Sequence, residues 1–132
     1  MGLDIGDRWT GVALSDPQGI LASPLTILAR QDDLTGIQAI VTLIDQHQVG
    51  RIIIGLPISM DGSIGQQAEK VKAFVRELSR HVEVPIEFRD ERLSTVAAKR
   101  LMRTVKKTRK TRDDAAAAAL ILQGYLDESS SS

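Results

Sequence analysis

Arg51-Ile52-Ile53-Ile54-Gly55 sets three consecutive isoleucines between an arginine and a glycine. A strand with one wet face alternates apolar and polar residues. An unbroken apolar run instead fits a strand covered on both faces, as parallel strands are in α/β sheets. Helical patterns stand on either side of it. Leu34, Ile37, Ile40, Val41 and Ile44 recur at 3.6-residue spacing before the run, and Ala68, Val71, Phe74, Val75 and Leu78 do so after it.

Working outward, the first thirty residues read as strands: Gly2 to Gly6, Trp9 to Ser15 around Gly11, and Leu25 to Ala29 after the turn Asp16-Pro17-Gln18-Gly19. Their short connections favour antiparallel neighbours. Beyond the second helical pattern, Val84 to Phe88 is a fifth strand opened by Pro85. A helix then starts at Ser94 or Thr95, either of which can cap it, and a last helix runs from about Asp113 to Leu126. The expectation is an α/β fold: a five-stranded mixed sheet, three antiparallel strands then two parallel, flanked by helices. Right-handed crossovers place the fourth and fifth strands beside the first. A single domain over residues 1–128 leaves Ser129 to Ser132 as a disordered serine tail.

Composition narrows the functions open to the chain. Its 132 residues suffice for one core, and an apolar content of 42% is that of a globular protein. With four aromatic residues (Trp9, Phe74, Phe88, Tyr125), the core must be aliphatic. The lack of cysteine excludes disulfides, thiolate zinc sites and a cysteine nucleophile. No apolar run reaches the roughly 20 residues of a membrane span, so a cytoplasmic protein with no membrane partner is expected. Net charge is zero, yet eight basic residues and no acid lie between Lys99 and Arg112. Lys106, Lys107, Arg109, Lys110 and Arg112 form the densest part. Such focusing makes a positive patch on an acidic body, suited to a nucleic-acid backbone; the alternative is a solvated loop.

Three acids fall at the edges of elements: Asp4 in the first strand, Glu91 after the fifth, and Asp114 at the head of the last helix. Ligands of open α/β sheets gather beyond the carboxyl ends of the parallel strands. Asp4, the loop after the fourth strand and Glu91 converge there. Carboxylates within about 4 Å repel by several kcal/mol at an effective dielectric near 20. Cations relieve this, and hard oxygen ligands suit Mg²⁺ or Mn²⁺, one ion or two. Each acid has a plainer reading: a hydrogen-bonded strand end for Asp4, a salt bridge with Arg92 for Glu91, a dipole-favoured first turn for Asp114. On position alone, Asp90 competes with Glu91 and Asp113 with Asp114. The loop with Gly55, Pro57, Asp61 and Gly62 leads to a helix start and suits a phosphate, or is a turn bent at Asp61-Gly62. It lacks a Walker A ending. His47 and His81 sit near helix ends as solvated or capping residues, and nothing resembles a Ser-His-Asp arrangement.

The motifs Gly2-Leu3-Asp4-Ile5-Gly6, Gly11-Val12-Ala13, Gly55-Leu56-Pro57, Met60-Asp61-Gly62-Ser63, Asp90-Glu91-Arg92-Leu93-Ser94-Thr95 and Ala118 to Leu126 span nearly the whole chain. Together they resemble the YqgF-type, Holliday-junction-resolvase-like family of pre-16S rRNA nucleases. The resemblance implies an RNase H-like fold and a divalent-metal nuclease, a hydrolase of ester bonds that processes the 5′ end of pre-16S rRNA during small-subunit maturation. It places the metal acids on Asp4, Glu91 and, counting eleven residues back from Tyr125, Asp114. The implied partner is structured RNA, with a DNA junction as the alternative substrate and a monomer or homodimer as the working unit. A non-catalytic RNA, ribosome-assembly or transcription-factor binding module is the other class of answer. The chain departs from the family where Met1 directly precedes Gly-Leu-Asp, where Asp7 replaces the commoner Thr or Ser, and where Ser59 replaces Asn.

Overall fold

The computed structural model describes residues 1–29, 32–59, 61–91 and 113–130, with Asp113, Asp114 and Ser130 described by backbone alone. Five strands form one sheet: β1 (Gly2–Ile5), β2 (Trp9–Ser15), β3 (Ala22–Ala29), β4 (Ile52–Leu56) and β5 (Ile86–Asp90). Three helices pack on it: α1 (Asp33–His47), α2 (Gln66–Leu78) and α3 (Asp113–Ser130). The strand order is β3-β2-β1-β4-β5, antiparallel across β1–β3 and parallel from β1 through β4 to β5. This is the mixed α/β sheet that the sequence predicts.

Side-chain alternation divides β1 and β4 between two cores. Leu3, Ile5, Ile52, Ile54 and Leu56 face α1 and α2, where Ile37, Ile40, Val71, Phe74 and Leu78 close over them. On the other face, Ala13 and Ile53 pack under Ala118, Ala119, Ile121 and Leu122 of α3. The isoleucine run of β4 is therefore buried from both sides. Contact with α3 is close: a β-carbon on Gly2 would lie 2.7 Å from the Ala118 carbonyl oxygen. Asp32 starts α1 by accepting from the Thr35 N–H at 2.7 Å, an ordinary N-cap.

Three boundaries differ from the sequence reading. β3 begins at Ala22 rather than Leu25, carrying Pro24 on the sheet edge beside an irregularity at Val12/Ala13. An edge strand tolerates the missing N–H. β5 runs Ile86–Asp90 instead of Val84 to Phe88; Pro85 stays outside it and its carbonyl accepts from the Ile52 N–H at 2.9 Å. The last helix continues past Leu126 to Ser130. The helix expected from Ser94 or Thr95, and the basic segment with Lys106, Lys107, Arg109, Lys110 and Arg112, lie outside the described residues.

Candidate active site

Asp4 stands on the α3 face of β1, and its neighbours on that face share one property. Gly2 and Gly6 precede and follow it at two-residue spacing, and Gly11 is its partner on β2. On the β4 side, Leu3 pairs with Ile54, so the next step of the parallel register sets Asp4 beside Gly55. A half-buried carboxylate thus lies in a side-chain-free strip of the sheet, a trough whose floor is Gly2, Gly6, Gly11 and Gly55 and which α3 and Glu91 cover at Gly2 and Gly55. No Cβ crowds it from any of those positions.

Glu91 closes the trough from the β5 side. It follows Asp90, the last residue of β5, at the carboxyl end of the parallel strands, and is partly buried. A β-carbon on Gly55 would lie 2.7 Å from Glu91 Oε1 and 3.0 Å from its Cγ, and would also strike Ile121 Cδ1. Any side chain at Gly55 would therefore have to shift the ends of the Glu91 and Ile121 side chains, where strand, helix and acid meet. Asp90 pairs with Leu56, which faces the α1–α2 core, so strand alternation puts Glu91 rather than Asp90 on the side of Asp4.

The direction of α3 brings its first turn to the same end. Ala118 packs over Gly2, while further along the helix the Gln123 side chain accepts from the Ala22 N–H at 2.8 Å and donates to the Ile20 carbonyl at 2.9 Å. The helix runs antiparallel to β1. Asp114 precedes Ala118 by one turn, roughly 6 Å of rise, and Asp4 follows Gly2 by about 6.6 Å of strand. The backbone of Asp114 thus enters above the Asp4 end of the sheet; its side chain lies outside the described residues. Among the described residues, no three Asp, Glu, His or Cys side chains form a metal-binding group.

The loop after β4 is held by its own contacts. Asp61 accepts from the Ser63 N–H at 2.9 Å and from its hydroxyl at 2.7 Å, and the Gly62 N–H donates to the Ser59 carbonyl. Gly62 has φ 86, a left-handed value that favours glycine. The bend expected at Asp61-Gly62 is present and held by these bonds. Gly55 and Pro57 lie nearer the trough, at the end of β4.

Two features of this end escape a reading of residue types along the chain. Trp9, the sole tryptophan, opens β2 on the α3 face and is 50% exposed. Arg89, on the same face of β5, slots against Gly124 of α3 and donates to Glu128 at 2.7 Å. Alternation within β2, counted from Gly11, could have located Trp9. Arg89 needed the register of β5, which the apolar run from Val84 misplaced. No helix among the described residues is long and apolar enough to cross a membrane.

Comparison with known proteins agrees with this architecture. Residues 1–128 match the family model described as RuvX: Holliday junction resolvase. A Dehalococcoides mccartyi protein named "Putative pre-16S rRNA nuclease" is 58% identical over 125 residues, covering 94% of each chain. A Roseiflexus protein of the same name is 48% identical over 130 residues, 96% of this chain and 92% of that one. Among solved structures, Thermus thermophilus RuvC in complex with a Holliday junction superposes with a TM-score of 0.68 at 11% identity, covering 98% of this chain and 93% of that one. The fowlpox virus resolvase, also solved with junction DNA, gives 0.56 at 10% identity over 96% and 95%. At such identities these two speak for the fold, the RNase H-like sheet. With the family model and close relatives both spanning nearly its full length, the chain belongs to the RuvX, or Holliday junction resolvase, family and is by class a nuclease, a hydrolase of ester bonds.

Proposed function

We propose that the chain is a divalent-metal-dependent nuclease that processes the 5′ end of pre-16S rRNA in the cytoplasm. The observation that carries this reading is the placement of Asp4 and Glu91 on one sheet face, at the carboxyl ends of β1 and β5, across Gly55. Asp114 is the third member, delivered by the first turn of α3. The donor set is entirely carboxylate oxygen, which fits Mg²⁺ or Mn²⁺. One or two such ions would be held by Asp4, Glu91 and Asp114, and when bound would supply charge neutralisation at the phosphate and an acidified water.

The chain's own groups do the positioning. Asp4 is fixed by β1 in mid-sheet, and Glu91 is braced against the Gly55 backbone, so neither has to be ordered when substrate arrives. Lys106, Lys107, Arg109, Lys110 and Arg112 hold the phosphate backbone of the substrate, and Gly55 and Pro57 border the phosphate path. The names carried by the 58% and 48% identical relatives support RNA as the substrate. The test is a cleavage assay of precursor 16S RNA against a four-way DNA junction, with and without Mg²⁺, with Asp4→Asn as blank. Metal-dependent cleavage of the RNA that is lost in Asp4→Asn is expected; full activity in that variant overturns the assignment.

The description of the matching family favours a second reading, a resolvase acting on a DNA junction. A two-fold symmetric junction demands a two-fold symmetric enzyme. Sedimentation that finds only monomer at working concentrations, with junction present, excludes it.

A further inference from the structure

Trp9 is the one large aromatic side chain placed beside the glycine trough and half exposed to solvent. The β1–β2 register fixes its relation to Asp4. Asp4 pairs with Gly11, and the Gly6 N–H donates to the Trp9 carbonyl at 2.9 Å. Trp9 therefore occupies the diagonal position from Asp4 on the same face, where Cα atoms stand roughly 7–8 Å apart. The two positions that complete this square, Gly6 and Gly11, carry no side chain. On its other flank Trp9 pairs with Ala29 of β3, again small, and the exposed Arg8 precedes it. Trp9 belongs to neither hydrophobic core. An indole left half in water at the rim of a carboxylate site is poorly explained by packing and well explained by a flat ligand.

We infer that Trp9 is a stacking platform for an unpaired nucleobase next to the scissile phosphate. The inference rests on the nuclease reading above and narrows its substrate class. Every base has a π-face, so stacking on an aromatic ring tolerates sequence but requires a base free of its own duplex stack. With the phosphate at Asp4 and a base on Trp9, the preferred cleavage point is a single-stranded or splayed nucleotide rather than continuous duplex. Trp9 is thus a positioning residue, not a catalytic one.

The sole tryptophan reports on its own role. Labelled single-stranded RNA, titrated at low salt in chelator, gives binding by anisotropy while tryptophan emission is followed in the same cuvette. Quenching should track binding. Trp9→Leu keeps apolar bulk without a π-face and should weaken binding about 5- to 150-fold, the loss of one base–aromatic stack. Trp9→Phe should remain within a few-fold of wild type. In cleavage with Mg²⁺, Trp9→Leu should raise KM and leave kcat nearly unchanged. Unquenched emission on binding, or Trp9→Leu binding as well as Trp9→Phe, overturns the stacking role while leaving the nuclease reading intact. Wild-type protein that neither binds nor cleaves RNA or a DNA junction overturns both.

Discussion

The carboxylate of Glu91 rests against the backbone of Gly55, its Oε1 2.7 Å from the point a β-carbon would occupy. Gly55 is also pressed by Ile121 of α3, so the acid, the central strand and the helix share one contact. Gly55→Ala must displace both neighbours. Overpacking of this kind costs about 1–3 kcal/mol, and thermal unfolding should register it. The displaced Glu91 should also lower nuclease turnover at temperatures where the variant is still folded. An Ala variant with wild-type stability and activity would contradict the packing described.

Asp4→Asn keeps the volume of the side chain and removes its charge from a half-buried site. Loss of one electrostatic contact to a transition state costs about 10²–10³-fold in turnover, and Asp4→Asn and Glu91→Gln should each lose at least that much. Neither needs to unfold the chain, because the trough around Asp4 is glycine and Glu91 lies outside the strands. Circular dichroism should match wild type, and RNA binding measured in chelator should persist.

Arg89 and Glu128 tie β5 to the last helix. The Arg89 side chain is only 10% exposed, and its hydrogen bond and charge hold the Glu128 carboxyl below the ordinary glutamate value. A depressed carboxylate contributes stability that is complete above its unfolded value, near pH 4.3, and is lost as pH falls through the folded one. Glu128→Gln should therefore lower Tm slightly at neutral pH, with the difference fading below about pH 4. Glu128 is well exposed, so added salt should shrink the effect as well.

The basic segment makes a prediction in ionic strength. Each phosphate contact to single-stranded nucleic acid adds about 0.7 to the slope of log affinity against log salt. Lys106→Ala and Lys107→Ala together should reduce that slope by roughly 1.4 and weaken RNA and DNA alike. A slope unchanged in the double variant would move the backbone contacts elsewhere.

Element types were legible from apolar patterning: a 3.6-residue spacing for α1 and α2 and an unbroken run for β4. The isoleucine run of β4 and the helical stripes of α1 and α2 mark the sheet and the helical layer on one of its faces. Ends were less legible, for identifiable reasons. Pro24 signals the outside of a strand, yet at an edge it costs no ladder bond, so β3 starts earlier than its apolar residues indicate. Glu87 and Arg89 look foreign to a strand until their partners appear: Arg51 for the first, Glu128 for the second. Asp4 and Glu91 could be named from position along the chain. The trough could not, since Gly2, Gly6, Gly11 and Gly55 become neighbours only through the register of three strands. Alternation along β2 puts Trp9 on the face of Gly11, but its diagonal relation to Asp4 exists only once β1 and β2 are paired.

Because α3 comes later in the chain than all five strands it helps to cover, a ribosome making this protein finishes the sheet before the roof over Ala13 and Ile53 exists. A half-made copy presents a greasy, unshielded surface at the tunnel mouth and lacks the first turn that brings Asp114 to the trough.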